Sequence, residues 1–293
     1  MSTEFDFGSG YARILGHDCT IMSNCRIAYH DQMQRRSPIE LEGRTSLLDY
    51  AMRLTPSPEP PTREFGPIWQ YWHSGKANAP EICQLCFDSV SNFAAGRAII
   101  ILDDTSLQQY IRLPPHIWLR REQMLNAHFS DIIRSYLLAE HGGTWIDATV
   151  LLTGAIDHIT SDLSFFAFTR PNDPLMLSNW FIHAAAAHPL ICALRDMLTD
   201  YWLVNERIQY YQLFHFLFEC AITVHANLRQ AWQAVPVLLT GRHGFPRQLQ
   251  DALNSALSES VFQDICRRTS VHKLSWKLAG AVMAEARKLR RLL

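Results

Sequence analysis

The chain has 293 residues, of which 48% are hydrophobic and 19% are charged, so it can bury a large core and is not of the disordered class. Its formal net charge of -1 gives no overall basic pull, and no nucleic-acid partner is expected. Seven scattered cysteines and the lack of a secretory leader or a membrane-spanning apolar run predict reduced thiols and a cytoplasmic protein.

The first 66 residues predict a helical appendage and a linker. Leu47, Leu48, Ala51 and Leu54 recur at helical spacing in RTSLLDYAMRL. The stretch TPSPEPPTREFGP, residues 55–67, is dense in proline, which removes backbone donors and favours extended conformations. We therefore expect residues 1–66 to precede a single large domain at 67–293.

From residue 67 onward, strand and helix patterns alternate. The strand patterns are PIWQYW, AIIIL, TWIDATVLL, SFFAF and LSNWFI. The helix patterns are APEICQLCFDSVSNF, HIWLRREQML, FSDIIRSYLLAEH, HPLICALRDMLTDYW and YYQLFHFLFECAITVHANL. This alternation predicts an α/β fold with a mixed, mostly parallel, Rossmann-like sheet flanked by helices, and with extra helices in the C-terminal half. Such sheets bind ligands beyond the carboxyl ends of their strands.

One carboxylate stands out in the run HFSDIIRSYLLAEHGGTWIDATV. Gly142 is expected to end the helix in the left-handed conformation, and Asp147 then lies in a strand among apolar residues. Burying a lone carboxylate is costly. Asp147 must therefore have a partner, reach solvent at a strand end, or bind a cation.

Two charged residues of the preceding helix are candidates for the same site. Asp131 and Arg134 are three residues apart, so they project from one side, away from the apolar packing face of the helix. One interpretation is a surface ion pair of little energetic value. The other is a joint site with Asp147, because the helix leads through two glycines directly into the strand that carries this residue.

The central block resembles a known family. The run SDIIRSYLLAEHGGTWIDATVLLTG, with PIWQYWHSGKANAPEICQLC, ILDDTSLQQYI, LSNWFIHAAAAHP and SVHKLSWK, is similar to the capsular polysaccharide synthesis proteins of glycosyltransferase family 32. These are relatives of the sugar-transferring domains of large clostridial toxins. The resemblance spans residues 67–277, does not include the appendage, and implies a GT-A fold, a UDP-sugar donor, Mn²⁺ or Mg²⁺, and retention of anomeric configuration.

The resemblance also implies roles for individual residues. Asp147 matches the first aspartate of the metal-binding Asp-x-Asp motif, and Thr149 stands at its second position. Asp131 and Arg134 match the residues that hold the donor sugar. The loss of the second carboxylate implies that Asp147 binds the ion alone or through water, with help from elsewhere in the chain.

Further residues are candidates for metal and nucleotide binding. His272 is either a metal ligand or a solvated loop histidine, and Lys273 beside it is expected to contact the diphosphate. In the first strand only Trp69 and Tyr71, or Gln70 and Trp72, can face the ligand, and we favour Gln70 and Trp72. Asp103 or Asp104 is expected either to contact ribose or to cap a helix; Asn179 and Trp180 are expected to shape the sugar or acceptor pocket.

The sequence thus predicts a metal-dependent retaining glycosyltransferase that builds surface polysaccharide from a nucleotide-sugar donor and a glycan or lipid-linked acceptor. Two alternatives remain: a toxin-like effector that glycosylates a protein, and a non-catalytic nucleotide-sugar-binding protein, which Thr149 favours. The C-terminal run of basic residues after Trp276 predicts either a solvated helix or a helix that rests on an anionic membrane surface.

Overall fold

The structure is a computed structural model that describes residues 45–56, 66–161, 163–169, 177–235, 245–255, 257–277 and 289–291. Its strands are β1 (Ile68–Tyr71), β2 (Ile99–Leu102), β3 (Gly143–Ile146), β4 (Val150–Leu152), β5 (Phe165–Thr169), β6 (Leu177–Ala184) and β7 (Val271–Lys273). Its helices are α1 (Thr45–Met52), α2 (Glu81–Asn92), α3 (Pro115–Leu119), α4 (Asn126–His141), α5 (Asp157–Thr160), α6 (Pro189–Val204), α7 (Leu213–Val224), α8 (Ala226–Gln233), α9 (Phe245–Ser255) and α10 (Glu259–Arg268).

The central sheet has the strand order β2-β1-β3-β6-β5. Strand β1 runs parallel to β2 and β3, whereas β6 runs antiparallel to both β3 and β5. Four of these strands therefore point the same way and only β6 opposes them. The predicted mixed, mostly parallel sheet with flanking helices is confirmed.

A separate two-stranded ribbon extends the fold beyond β3. The prediction of one continuous strand over TWIDATVLL was wrong, because a turn closed by the Val150 N–H to the Asp147 carbonyl (2.9 Å) separates β3 from β4. Strand β4 leaves the central sheet and pairs antiparallel with β7, so that Val150 lies opposite Lys273. The turn thus places Asp147 at the end of the sheet and delivers a distant segment next to it.

The chain enters β3 through two glycines. Gly142 ends α4 at φ 65° and ψ -163°, a positive φ as predicted but with an extended ψ in place of the left-handed helical one. Gly143 has φ 101°, and a Cβ there would lie 2.2 Å from the Pro67 carbonyl oxygen. Glycine is required here both by the backbone angle and by the closeness of β1.

Two hydrophobic clusters stabilise the fold. The larger one joins the central sheet to α4, α6, α7 and α8, and the smaller one lies between α2, β4, α9 and α10. Helix α1 contributes Leu47, Tyr50 and Ala51 to the larger cluster. This part of the predicted appendage is therefore integrated into the core, whereas most of the predicted linker falls outside the described residues.

Other sequence predictions differ from the structure only in detail. The single helix predicted across residues 210–228 is two helices, α7 and α8, that meet at His225. The helix predicted at HIWLRREQML is α3 followed by a short 3-10 turn. The predicted C-terminal helix lies largely outside the described residues. Within the described ranges, none of the helices combines the length and hydrophobicity needed to cross a bilayer.

Candidate active site

Three charged side chains meet at the carboxyl end of β3. Arg134 donates from Nη1 to Asp131 Oδ1 (2.8 Å) and from Nη2 to Asp147 Oδ1 (3.0 Å). The arginine side chain is 4% exposed and that of Asp131 8%, so the ion pair is buried and the alternative of a surface ion pair is wrong. A buried arginine shared between two carboxylates is instead the centre of the cluster.

Helix α4 and strand β3 fix this arginine. Asp131 and Arg134 lie one helical turn apart, and α4 runs back along the sheet so that its middle reaches the end of β3. The guanidinium carbon of Arg134 lies 4.9 Å from the ring centre of Trp145. Trp145 also donates from its indole N–H to Asp147 Oδ1 (2.8 Å), because residues two apart on a strand share a face.

Asp131 is held by an amide as well as by the arginine. Asn179, on the neighbouring strand β6, donates to Asp131 Oδ1 (2.8 Å). Burial raises the pKa of Asp131 to about 6, although Arg134 and Asn179 oppose this shift. The expected place of Asn179 at the site is therefore matched by a direct contact with a site carboxylate.

Asp147 is the most open carboxylate of the cluster. Its side chain is 23% exposed, and its backbone N–H donates to the Trp180 carbonyl of β6 (2.9 Å). Its Oδ1 accepts the two hydrogen bonds from Arg134 and Trp145, while its Oδ2 lies 3.7 Å from Lys273 Nζ. Each oxygen of Asp147 therefore faces a positively charged side chain.

Lys273 links the ribbon to the cluster. Its ammonium donates to Thr149 Oγ1 and to the Leu274 carbonyl (3.3 Å), and its side chain is 14% exposed. Burial lowers the pKa of Lys273, Asp147 raises it, and the positive charge of Arg247 lowers it further. The residue at the second position of the predicted metal motif is thus bonded to an ammonium group.

His272 is not brought to this cluster. It follows the alternation of β7, so it points away from the Lys273 side, and its side chain is fully buried. Its Nε2 lies 2.9 Å from Thr153 Oγ1, and burial lowers its pKa to about 3. The histidine is neither the solvated loop residue nor the ligand next to Asp147 that the sequence offered as alternatives.

The predicted nucleotide side of the site is divided between surface and interior. Trp72 is half-buried and meets Trp276 edge to face, with ring centres 6.0 Å apart. Gln70, predicted to face the ligand together with Trp72, is fully buried, and neither atom of its amide has a hydrogen-bond partner among the described residues. Strand alternation alone could not predict this, because it gives the face of a residue but not its depth.

The two aspartates after β2 have different surroundings. Asp103 caps the following turn by accepting from the backbone and side chains of Thr105 and Ser106, which lowers its pKa to about 2. Asp104 instead accepts from the Tyr71 hydroxyl and lies 3.4 Å from Arg121 Nη2. The capping alternative therefore applies to Asp103, and Asp104 remains a polar group near the end of β1.

The donor set limits how a divalent ion could be held. Among the described residues no group of three or more His, Cys, Asp or Glu side chains is arranged for a metal. Asp147 nevertheless offers one partly open carboxylate beside the hydroxyl of Thr149. Mg²⁺ in proteins is commonly held by one or two carboxylates together with phosphate oxygens and water. The site thus fits an ion that a diphosphate helps to coordinate.

Sequence reasoning missed several of these contacts. It gave no site role to the indole of Trp145, although Trp145 stands two residues before Asp147 in the strand pattern. It weighed Tyr71 only as part of the pair that it did not favour. It placed Trp276 only in the C-terminal run. The spacing of Trp145 and Asp147 was the only available signal, because the contacts of Tyr71 and Trp276 join distant segments.

Comparisons with known proteins agree with the expected class. A family model described as capsular polysaccharide synthesis protein matches residues 26–288. O-glycosyltransferase PaGT of Phomopsis amygdali is 26% identical over 166 residues, which is 50% of this chain and 40% of that protein. The chain thus matches less than half the length of this curated relative. The PaToxG glycosyltransferase structure aligns with a TM-score of 0.40 and 14% identity over 86% of this chain and 95% of that one.

Proposed function

The chain belongs to the family of capsular polysaccharide synthesis proteins, and we propose that it is a glycosyltransferase that moves a sugar from a nucleotide-sugar donor to a glycan. A UDP-sugar is the expected donor, and the expected product is a bacterial surface polysaccharide. This proposal refines the family assignment to a reaction, with the cluster around Asp147 as the reaction centre.

The observation that carries the proposal is the shared arginine. Arg134 joins the buried Asp131 to the partly open Asp147 at the carboxyl edge of the sheet, where α/β folds bind ligands. A site with buried, oriented charges and one open edge can bind polar groups without the cost of reorganising water during the reaction. A departing diphosphate requires such fixed charges, because negative charge grows on it as the bond to the sugar breaks.

We assign each part of the nucleotide-sugar donor to residues at this edge of the sheet. Asp131 and Arg134 would bind hydroxyl groups of the donor sugar, and Lys273 would contact the diphosphate. Trp72 would stack on the base, since aromatic faces bind planar rings, and Asp104 would accept from ribose. Gln70 lies beneath Trp72 on the same strand face and would support this side of the site from the interior.

Mn²⁺ or Mg²⁺ would be held by Asp147, with Thr149 next to it; His272 is left out of this set because its side chain points to Thr153. The chemistry that a bound ion supplies is neutralisation of the charge that grows on the leaving diphosphate. Arg134 and Trp145 both donate to the Asp147 Oδ1 atom and so orient this carboxylate for the purpose.

A donor screen tests the proposal. We expect UDP-sugars with Mn²⁺ to be hydrolysed or transferred by the wild-type protein, and UDP with Mn²⁺ to raise its melting temperature because a ligand of the native state stabilises it. Glycan and protein acceptors should be offered in parallel, and transfer to protein alone would favour the effector alternative. Binding without turnover across the whole donor panel would favour a non-catalytic binding protein.

A further inference from the structure

Lys273 occupies the position from which a cation would approach Asp147. Its ammonium lies 3.7 Å from Asp147 Oδ2, the oxygen that neither Arg134 nor Trp145 uses. The same ammonium is held by the hydroxyl of Thr149 and the carbonyl of Leu274. The chain therefore has a fixed positive charge beside Oδ2 of the partly exposed Asp147.

The charges of the cluster already balance. Asp131 and Asp147 contribute two negative charges, and Arg134 and Lys273 contribute two positive ones. A divalent ion that entered alone would therefore meet no net negative charge from these four side chains, and little attraction would offset the loss of its hydration water.

A nucleoside diphosphate changes this balance. Its phosphate oxygens bring negative charge and additional hard ligands, which are what Mg²⁺ and Mn²⁺ require beyond a single carboxylate. They also offer Lys273 an alternative partner to Asp147, since an ammonium group is a general phosphate ligand. Binding of the diphosphate and of the ion should therefore favour each other.

We propose that Lys273 is a built-in placeholder cation, which neutralises Asp147 in the free protein and allows a divalent ion to bind only together with a diphosphate. This inference rests on the proposed function, because it takes a diphosphate as the ligand of the site. Lys273 acts as a positioning residue for Asp147 in the free protein and contacts phosphate once the donor is bound. Thr149 contributes by holding the ammonium where a second carboxylate would otherwise attract the ion.

Direct Mn²⁺ titration tests the proposal without any assay of turnover. Free Mn²⁺ would be followed by electron paramagnetic resonance, with and without UDP. We expect the wild-type protein to bind Mn²⁺ at least about tenfold more tightly in the presence of UDP. Linkage requires UDP affinity to rise by the same factor when Mn²⁺ is present, and calorimetry measures this independently.

Three variants separate the charge effect from general damage. Lys273→Met keeps the apolar stem but removes the charge, and should tighten nucleotide-free Mn²⁺ binding about tenfold. Thr149→Asp should have the same effect by adding a carboxylate, whereas its neutral counterpart Thr149→Asn should not. Lys76→Met is the matched control, because Lys76 also pairs with an aspartate but does so at the surface.

The outcomes distinguish the two proposals. If the wild-type protein binds Mn²⁺ equally well with and without UDP, the placeholder inference fails and the glycosyltransferase proposal stands. Unchanged nucleotide-free affinity in Lys273→Met and Thr149→Asp also overturns the inference. If Lys273→Met does not fold, Thr149→Asp and the wild-type titration still decide. If no variant binds UDP under any condition, both proposals fail together.

Discussion

Two polar networks lie at the two ends of β3, the entry network at its start and the exit cluster at its end, and they differ in charge and in exposure. At the entry to the strand, Arg97 donates to Thr144 Oγ1 (2.7 Å), whose hydroxyl lies 2.9 Å from His183 Nδ1. His183 Nε2 in turn lies 3.2 Å from the Leu163 carbonyl. At the exit, Asp131, Arg134, Asp147 and Lys273 form a cluster of alternating full charges.

The entry network has one consistent proton order. The Leu163 carbonyl can only accept, so Nε2 of His183 carries the proton and donates to it. In a neutral ring Nδ1 then accepts from the Thr144 hydroxyl, whose oxygen accepts from Arg97. Burial and the charge of Arg97 lower the pKa of His183 to about 3, so the ring is neutral, as this order requires. Thr144 and His183 are fully buried, and the network joins the segment just before β2 to β3 and β6.

The exit cluster instead leaves the carboxylate of Asp147 partly exposed, and the hydroxyl of Thr149 accepts a hydrogen bond from the ammonium of Lys273. Buried polar groups contribute to stability where all of their contacts are internal, as in the entry network. Where one carboxylate lies partly exposed at an edge, as Asp147 does, the buried charges around it serve the ligand binding that we propose. Substitutions at the two ends should therefore separate stability from activity.

The largest expected effect comes from the exit end. Asp147→Asn keeps the shape of the side chain but removes the charge, and we expect the rate of sugar transfer to fall between about 100- and 1,000-fold. The melting temperature should stay close to that of the wild type, because the amide oxygen can still accept from Trp145. Initial-rate assays and thermal unfolding measure the two quantities. Asp88→Asn, at an exposed ion pair, is the control, and equal loss in both variants would contradict the assignment.

Next in size is a backbone effect at the entry end. Gly143→Ala should lower the free energy of unfolding by about 3 kcal/mol or more, because the new Cβ would meet the Pro67 carbonyl and the residue has a positive φ. Urea unfolding measures the change. Gly96→Ala is a matched control, since Gly96 also has a positive φ but a Cβ there would meet no heavy atom within 4 Å. Similar losses at both positions would show that φ alone matters.

A smaller loss is expected from the hydroxyl of the entry network. Thr144→Val is nearly isosteric but leaves Arg97 and His183 without their shared partner, which should cost about 1–3 kcal/mol of unfolding free energy. The affinity for UDP should not change. Thr55→Val at the surface serves as the control. A loss of UDP affinity equal to that of Asp147→Asn would mean that the two ends are not separable.

The smallest effect is a pH dependence from His188, which lies at the same end as the entry network. Burial lowers its pKa from 6.5 to about 4, so between these values the unfolded chain binds a proton that the folded chain does not. Stability should therefore fall as the pH is lowered, by about 1 kcal/mol from pH 6 to pH 5 for this histidine.

His188→Asn isolates this contribution. Asparagine keeps an acceptor for the Leu190 N–H at the start of α6 but does not titrate. The difference in unfolding free energy between the two proteins should shrink or change sign as the pH is lowered through this range. Parallel stability curves between pH 7 and pH 5 would contradict the prediction.

The sequence predicted the elements well where hydrophobic period and local signals agree. Helix α4, strands β1 and β6 and the role of Pro189 at the start of α6 follow from patterns that are local in the chain. The joint site of Asp131, Arg134 and Asp147 was one of two open alternatives, and the structure shows that the three side chains touch.

The parts that failed depend on distant partners. The break after Asp147 arises because β4 pairs with β7, more than a hundred residues later, and no local pattern encodes that pairing. The depth of Gln70 and the direction of His272 depend on which layers cover their faces. Periodicity assigns a side chain to a face, but the identity of the covering layer is a property of the whole fold.

Because β4 pairs with β7, the residues of the charged cluster are translated at widely separated times. Asp131, Arg134 and Asp147 emerge from the ribosome together and can assemble early, whereas Lys273 arrives only after some 126 further residues have been translated. A partly synthesised chain would therefore hold its carboxylates without their lysine. The charged cluster can therefore be completed only after β7 has been translated, so the nascent protein passes through a period in which it is partly folded and the cluster lacks its lysine.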